Sequence, residues 1–149
     1  MDIPQNISSE QELDEILSRP TKDLIRMISG LDGDIMFLGV AGKIGVSMAI
    51  MAKRAADLSG TKKRIIGLSR FSQKNQMNLL EREGVEIIQG DLMNPEFVND
   101  LPKIKNIIFL AGMKFGSEEN LSLTWAVNAY LPGLIAEHFA GSRIVAFST

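Results

Sequence analysis

An apolar run that ends in regularly spaced glycines constrains this chain more than any other feature. Residues 34–45 read Asp34-Ile35-Met36-Phe37-Leu38-Gly39-Val40-Ala41-Gly42-Lys43-Ile44-Gly45, and a stretch of small residues follows. Four large apolar side chains in succession suit a strand covered on both faces, as in parallel sheets. The glycines sit three apart. The first permits a tight turn, the second lets a backbone approach a phosphate closely, and the third lets the following helix pack closely. A helix that starts there offers free N–H groups and partial positive charge to an anion. Gly39, Ala41, Gly42, Lys43, Ile44 and Gly45 are therefore candidates to hold the pyrophosphate of a dinucleotide.

The pattern after residue 34 is strand–helix alternation. Strands are expected over 34–38, 64–68, 85–88, 106–110 and 143–147. Helices are expected over 44–58, over 72–83 with Ser72 as cap, over a short stretch opened by Asn94-Pro95, and over 118–140. Pro132, inside the last of these, should kink or restart it. Apolar strands separated by helices imply a parallel sheet with helices on both faces. Residues 1–33 read as a helical extension laid on that core. Ser9 and Glu12 fit a capping box, Leu13, Ile16 and Leu17 form an apolar stripe, and Thr21 opens a second helix that Gly30 closes.

Composition removes several function classes. The 149 residues contain no cysteine, which excludes disulfides and thiolate metal sites. The net charge of −2 argues against a nucleic-acid partner. No apolar run approaches a membrane span and the first residues do not resemble a signal peptide, so a cytoplasmic location is expected. No metal-ligand cluster is visible. The basic run Lys62-Lys63-Arg64 reads as a solvated approach to a strand, and His138, the one histidine, as a packing or surface residue.

In an open parallel sheet, ligands lie beyond the carboxyl ends of the strands. Four strand ends here carry suitable residues. Ser69-Arg70 follows the second strand, where an NAD site keeps an acid for the ribose hydroxyls. A neutral donor and a guanidinium fork suit a 2′-phosphate instead, which favours NADP and leaves NAD open. Gly90-Asp91-Leu92 follows the third strand and fits an adenine amino group and ring face; a plain turn Asp is the bland alternative. Leu110-Ala111-Gly112-Met113-Lys114 follows the fourth, where small residues let the backbone lie against a ribose.

Together with Val127-Asn128 and Phe147-Ser148-Thr149, these motifs resemble the extended short-chain dehydrogenase/reductase superfamily, in particular the NAD(P)-dependent epimerase/dehydratase family. The resemblance covers about residues 34–149. It implies an α/β, Rossmann-type doubly wound sheet of five strands in the order 3-2-1-4-5. It implies that Asp91 and Leu92 hold adenine, and that Ala111, Gly112 and Lys114 line the ribose and nicotinamide. It also implies that Asn128 supports the active site and that Thr149 is the catalytic hydroxyl. A small hydroxyl or carbonyl substrate such as a nucleotide sugar is implied, and a homodimer through the helix carrying Asn128 is a further implication. Two departures matter. Ser69-Arg70 replaces the acid of NAD-using members. The family's Tyr-x-x-x-Lys pair is absent, because the only tyrosine is Tyr130 and residue 134 is Leu. The expectation is a cofactor-binding portion that does not turn over by itself. A non-catalytic NADP(H)-sensing module is the alternative, and a partner-binding protein with a vestigial site comes third.

Overall fold

The computed structural model describes residue 4 and residues 6–113 and 120–147. Five parallel strands form one sheet: β1 (Ile35–Leu38), β2 (Ile65–Ser69), β3 (Glu86–Gln89), β4 (Asn106–Phe109) and β5 (Arg143–Ala146). Their order is β3-β2-β1-β4-β5, so the chain winds outward from β1 first to one side and then to the other. This is the doubly wound, Rossmann-like arrangement expected from the alternation. β1 is central, pairing Ile35 with Ile65 on one side and with Asn106 on the other.

Alternation of side chains along β1 builds two cores. Ile35 and Phe37 face one layer, where they meet Ile28, Ala49, Ala52, Ala56 and Leu80. These belong to the helices α2 (Lys22–Gly30), α3 (Gly45–Leu58) and α4 (Lys74–Arg82). Met36 and Leu38 face the other layer and meet Val98, Leu131, Ile135 and Phe139. Val98 lies on α5 (Pro95–Asn99), which Asn94 caps by accepting from the Glu96 and Phe97 N–H groups. Leu131 and Ile135 lie on α7 (Leu131–His138). The edge strand β5 is mostly exposed.

The helix after β4 is not uniform. α6 (Leu121–Trp125) runs into a π turn (Ala126–Tyr130) and then into α7. Within the π turn, the Leu131 N–H donates to the Ala126 carbonyl, five residues back. Pro132 follows at once. A proline there cannot donate to the Asn128 carbonyl and its ring would press on that carbonyl in an unbroken α-helix. The wider turn accommodates it, and Pro132 falls in the first turn of α7, where a missing donor costs nothing.

Of the N-terminal helices, α2 packs through Leu24, Ile25 and Ile28 as expected, whereas α1 does not use its apolar stripe. α1 (Glu10–Leu17) buries none of its residues, and Leu17 is 51% exposed. Its contact with the body is polar: Arg54 on α3 donates to the Glu15 carboxylate and the Ser18 hydroxyl, and also to Glu83. The capping box is shifted as well. Ser9 accepts from the Glu12 N–H, but the Glu12 carboxylate takes the N–H of Ser8 rather than of Ser9. Gly30 ends α2 as a helical residue, with Leu31 as the cap. The basic run is structural: Lys63 donates to the Leu31 and Gly33 carbonyls, and Arg64 forks onto Glu86. That fork holds the Glu86 carboxyl below its ordinary range. No helix among the described residues is long and apolar enough to cross a membrane.

Candidate cofactor cleft

A cleft of about 430 Å3 opens beyond the carboxyl ends of β1, β2, β3 and β4. Its floor is the turn between β1 and α3. Gly39 there has φ +86°. A Cβ on it would lie 2.7 Å from the Ala111 nitrogen, because the chain ends of β1 and β4 meet at this point. Gly42 is different: it lines the cleft, and a Cβ on it would meet only the Gly39 carbonyl oxygen, at 3.5 Å. α3 then starts with no side-chain cap, and its cap residue is Ile44. The first N–H groups of a helix lack intrahelical acceptors; here the Gly45 N–H donates to the Gly42 carbonyl at 3.2 Å and no side chain caps the next ones.

The β2 end supplies Ser69, Arg70, Phe71 and Ser72 to the wall. Arg70 is exposed, and among the described residues no carboxylate lies within ion-pair distance of it. Phe71 has φ +48°, the only non-glycine in the left-handed region among the described residues, yet its side chain is buried in the α3–α4 core. For a bulky residue this conformation costs about 1–3 kcal/mol and persists only where its surroundings enforce it. The reversal it produces has a local consequence. α4 begins at Lys74 with no side-chain cap, and Ser72 lines the cleft instead of capping the helix as expected.

The β3 end supplies Gly90, Asp91, Leu92 and Met93. One Asp91 carboxylate oxygen accepts from the Met93 N–H at 2.9 Å, so this residue does serve as a turn former, and Leu92 is buried. The β4 end supplies Leu110, Ala111, Gly112 and Met113. This last loop is held from behind. The Asn128 side chain accepts from the Met113 N–H at 2.9 Å and donates to the Met113 carbonyl at 2.8 Å. Leu123, Val127 and Leu131, one every four residues along the helix that carries Asn128, close the wall.

Of the residues singled out from sequence, Gly39, Ala41, Gly42, Ser69, Arg70, Asp91, Leu92, Leu110, Ala111 and Gly112 line this cleft together. Lys43 and Ile44 are exposed outside its lining, and Gly45 is buried beneath the turn. Asn128 stands behind the lining and clamps it. Lys114 and Thr149 lie outside the described residues. Phe71, Ser72, Met93, Leu123 and Leu131 were missed; the four-residue spacing of 123, 127 and 131 was the one signal that pointed to any of them. His138 stands near the amino ends of β4 and β5, away from the cleft, beside the Leu101 carbonyl and Lys103. Burial, and then the Lys103 charge, push its pKa below the ordinary value.

The clamp predicts the behaviour of a variant. Asn128→Leu removes both bonds to Met113 and leaves its N–H and its carbonyl, on a half-buried residue, without this partner. We expect a loss of about 1–3 kcal/mol, or roughly 3–10 °C in melting temperature. A dinucleotide that uses the Leu110–Met113 loop should also bind roughly tenfold more weakly. Thermal melts and calorimetry check both; unchanged values would mean the clamp is idle. No protein-family model matches the sequence, and neither does any curated protein searched.

Proposed function

We propose that this chain is an NADP-binding domain serving an epimerase, dehydratase or reductase that acts by hydride transfer on a small hydroxyl or carbonyl substrate, for which a nucleotide sugar is the class implied by resemblance. One observation carries the reading. A single cleft joins the glycine turn that leads into the uncapped α3, a glycine whose Cβ position meets little, and an arginine at the β2 end where an NAD site keeps an acid. The pyrophosphate would lie over Gly42 against the α3 N–H groups. Arg70 and the Ser69 hydroxyl would hold the 2′-phosphate, with a planar fork matched to its oxygens. The free Asp91 oxygen and Leu92 would meet the adenine. The nicotinamide, which supplies or accepts the hydride, would lie along Ala111 and Gly112.

A second reading, a module that binds NADP(H) without consuming it, has its own support. Among the described residues, the wall formed by Leu110–Met113, Leu123, Val127 and Leu131 carries no ionisable side chain. A general acid or base must reach the reacting group, and these residues offer none. Residues 1–149 contain no Tyr-x-x-x-Lys, so turnover by them alone is not expected.

Calorimetric titration with NADPH and NADH tests the cofactor assignment. NADPH should bind more tightly. Arg70→Ala should weaken NADPH roughly 10- to 100-fold, the worth of one or two charge-assisted bonds, and leave NADH within about threefold. Equal affinities in the unaltered chain, or tighter binding of NADH, sinks it. Trp125 is 71% exposed and two residues from the cleft-lining Leu123 and Val127, so calorimetry is a surer readout than its fluorescence.

A further inference from the structure

The β2 end is held more firmly than an exposed turn needs to be. Sheet pairing joins Ser69 to Gln89, and the Gly90 N–H takes the Ser69 carbonyl at 3.1 Å. The ladder stops there. The next carbonyl, that of Arg70, is off the sheet, yet the Gln89 side-chain amide reaches across and donates to it at 3.0 Å. The residue after that, Phe71, has its ring sunk in the α3–α4 core and its backbone at φ +48°. Three successive cleft-lining residues are thus each fixed to protein. Between these anchors only the Arg70 side chain is exposed.

Strain at a turn that only its surroundings enforce is a mark of a position held for use. The Arg70 guanidinium is a rigid planar fork at the end of a flexible side chain, and its aim depends on where its Cα points. If the Arg70–Phe71 peptide swings, that direction changes. Phe71 fixes one end of the peptide and Gln89 the other. Gln89 itself is not part of the cleft wall, and its side chain reaches the site through the Arg70 carbonyl.

We propose that Gln89 is a positioning residue for cofactor preference: by holding the Arg70 carbonyl against the Phe71 anchor, it aims Arg70 at a phosphate monoester on the adenosine ribose. This rests on the assignment of the cleft to NADP. It adds that preference comes from the rigidity of the turn as well as from the arginine charge.

The test is a double-mutant cycle read by calorimetry with NADPH and NADH. Gln89 is exposed, so Gln89→Leu should leave the fold intact. It should weaken NADPH about three- to tenfold, the worth of one neutral hydrogen bond, and leave NADH within about twofold. In an Arg70→Ala background the same substitution should change NADPH affinity by less than about twofold, since the residue it acts through is gone. A parallel fall for both cofactors, or a fall that persists without Arg70, overturns the proposal by showing a general structural effect. If the unaltered chain prefers NADPH and Gln89→Leu keeps that preference, the proposal fails and the cofactor assignment stands. If the unaltered chain shows no preference, both fail together.

Discussion

Gly42→Val should abolish NADPH binding while leaving the fold as stable as before. A Cβ at residue 42 meets nothing closer than the Gly39 carbonyl oxygen at 3.5 Å, an ordinary contact, and the residue is exposed with φ outside the left-handed region. The protein therefore has room for a side chain. On the proposed mode of binding the ligand would have none, because the branched carbons would stand between the pyrophosphate and the start of α3. Losing two charge-assisted bonds to backbone N–H groups costs about 3–4 kcal/mol, so affinity should fall by at least about 100-fold. Melting temperature should move by no more than about 2 °C. Calorimetry and a thermal melt on one preparation give both numbers. Retained binding would falsify the role assigned to the loop.

Three residues on, Gly45→Ala should do the reverse and destabilise the fold. A Cβ there would lie 2.2 Å from the Val40 carbonyl oxygen and within 2.9 Å of two further Val40 backbone atoms. None of these is the far end of a flexible side chain, so α3 would have to lift off the turn. Alanine gains about 1 kcal/mol over glycine in helix propensity. Overpacking against backbone costs more, typically 1–3 kcal/mol and higher where nothing can yield. The lifted helix would also loosen Ala49, Ala52 and Ala56, which are buried against the sheet. We expect a net loss of roughly 2–3 kcal/mol and a melting temperature lower by roughly 5–10 °C. A variant as stable as the parent would show that α3 has more freedom than its contacts suggest. The two glycines share one motif, yet one is needed for what the cleft must admit and the other for how the helix sits.

The central sheet could be read from sequence because its signals are local. Ile35 to Leu38 form an unbroken apolar run, Asn94-Pro95 caps its own helix, and the glycine spacing marks the turn beneath the cleft. What could not be read depends on distant partners. α1 shows an apolar stripe that suggests packing through Leu13 and Leu17, but Arg54, 39 residues from Glu15, draws in the polar face instead. Phe71 adopts a conformation that local preference reserves for glycine, and only the core around its ring accounts for it. Ser72 has the chemistry of a helix cap, but the reversal at Phe71 points it into the cleft. Lys43 and Ile44 sit inside the glycine motif, and the sequence alone could not say that they fall outside the cleft lining. Asn128 carries no local sign that its two bonds go to Met113.

The π turn has a consequence in the phasing of the helix. Leu123, Val127, Leu131, Ile135 and Phe139 recur every four residues, whereas an α-helix turns about 100° per residue. Over that distance a strict four-residue repeat drifts by about 160°, enough to carry the last side chain to the far side of the rod. Absorbing one residue at the π turn takes back about 100° of the drift. The turn is thus a vernier between two repeats. It lets the N-terminal half present Leu123 and Val127 to the cleft while the C-terminal half seats Ile135 and Phe139 in the core, and neither half could keep its face if the chain between them were one residue shorter.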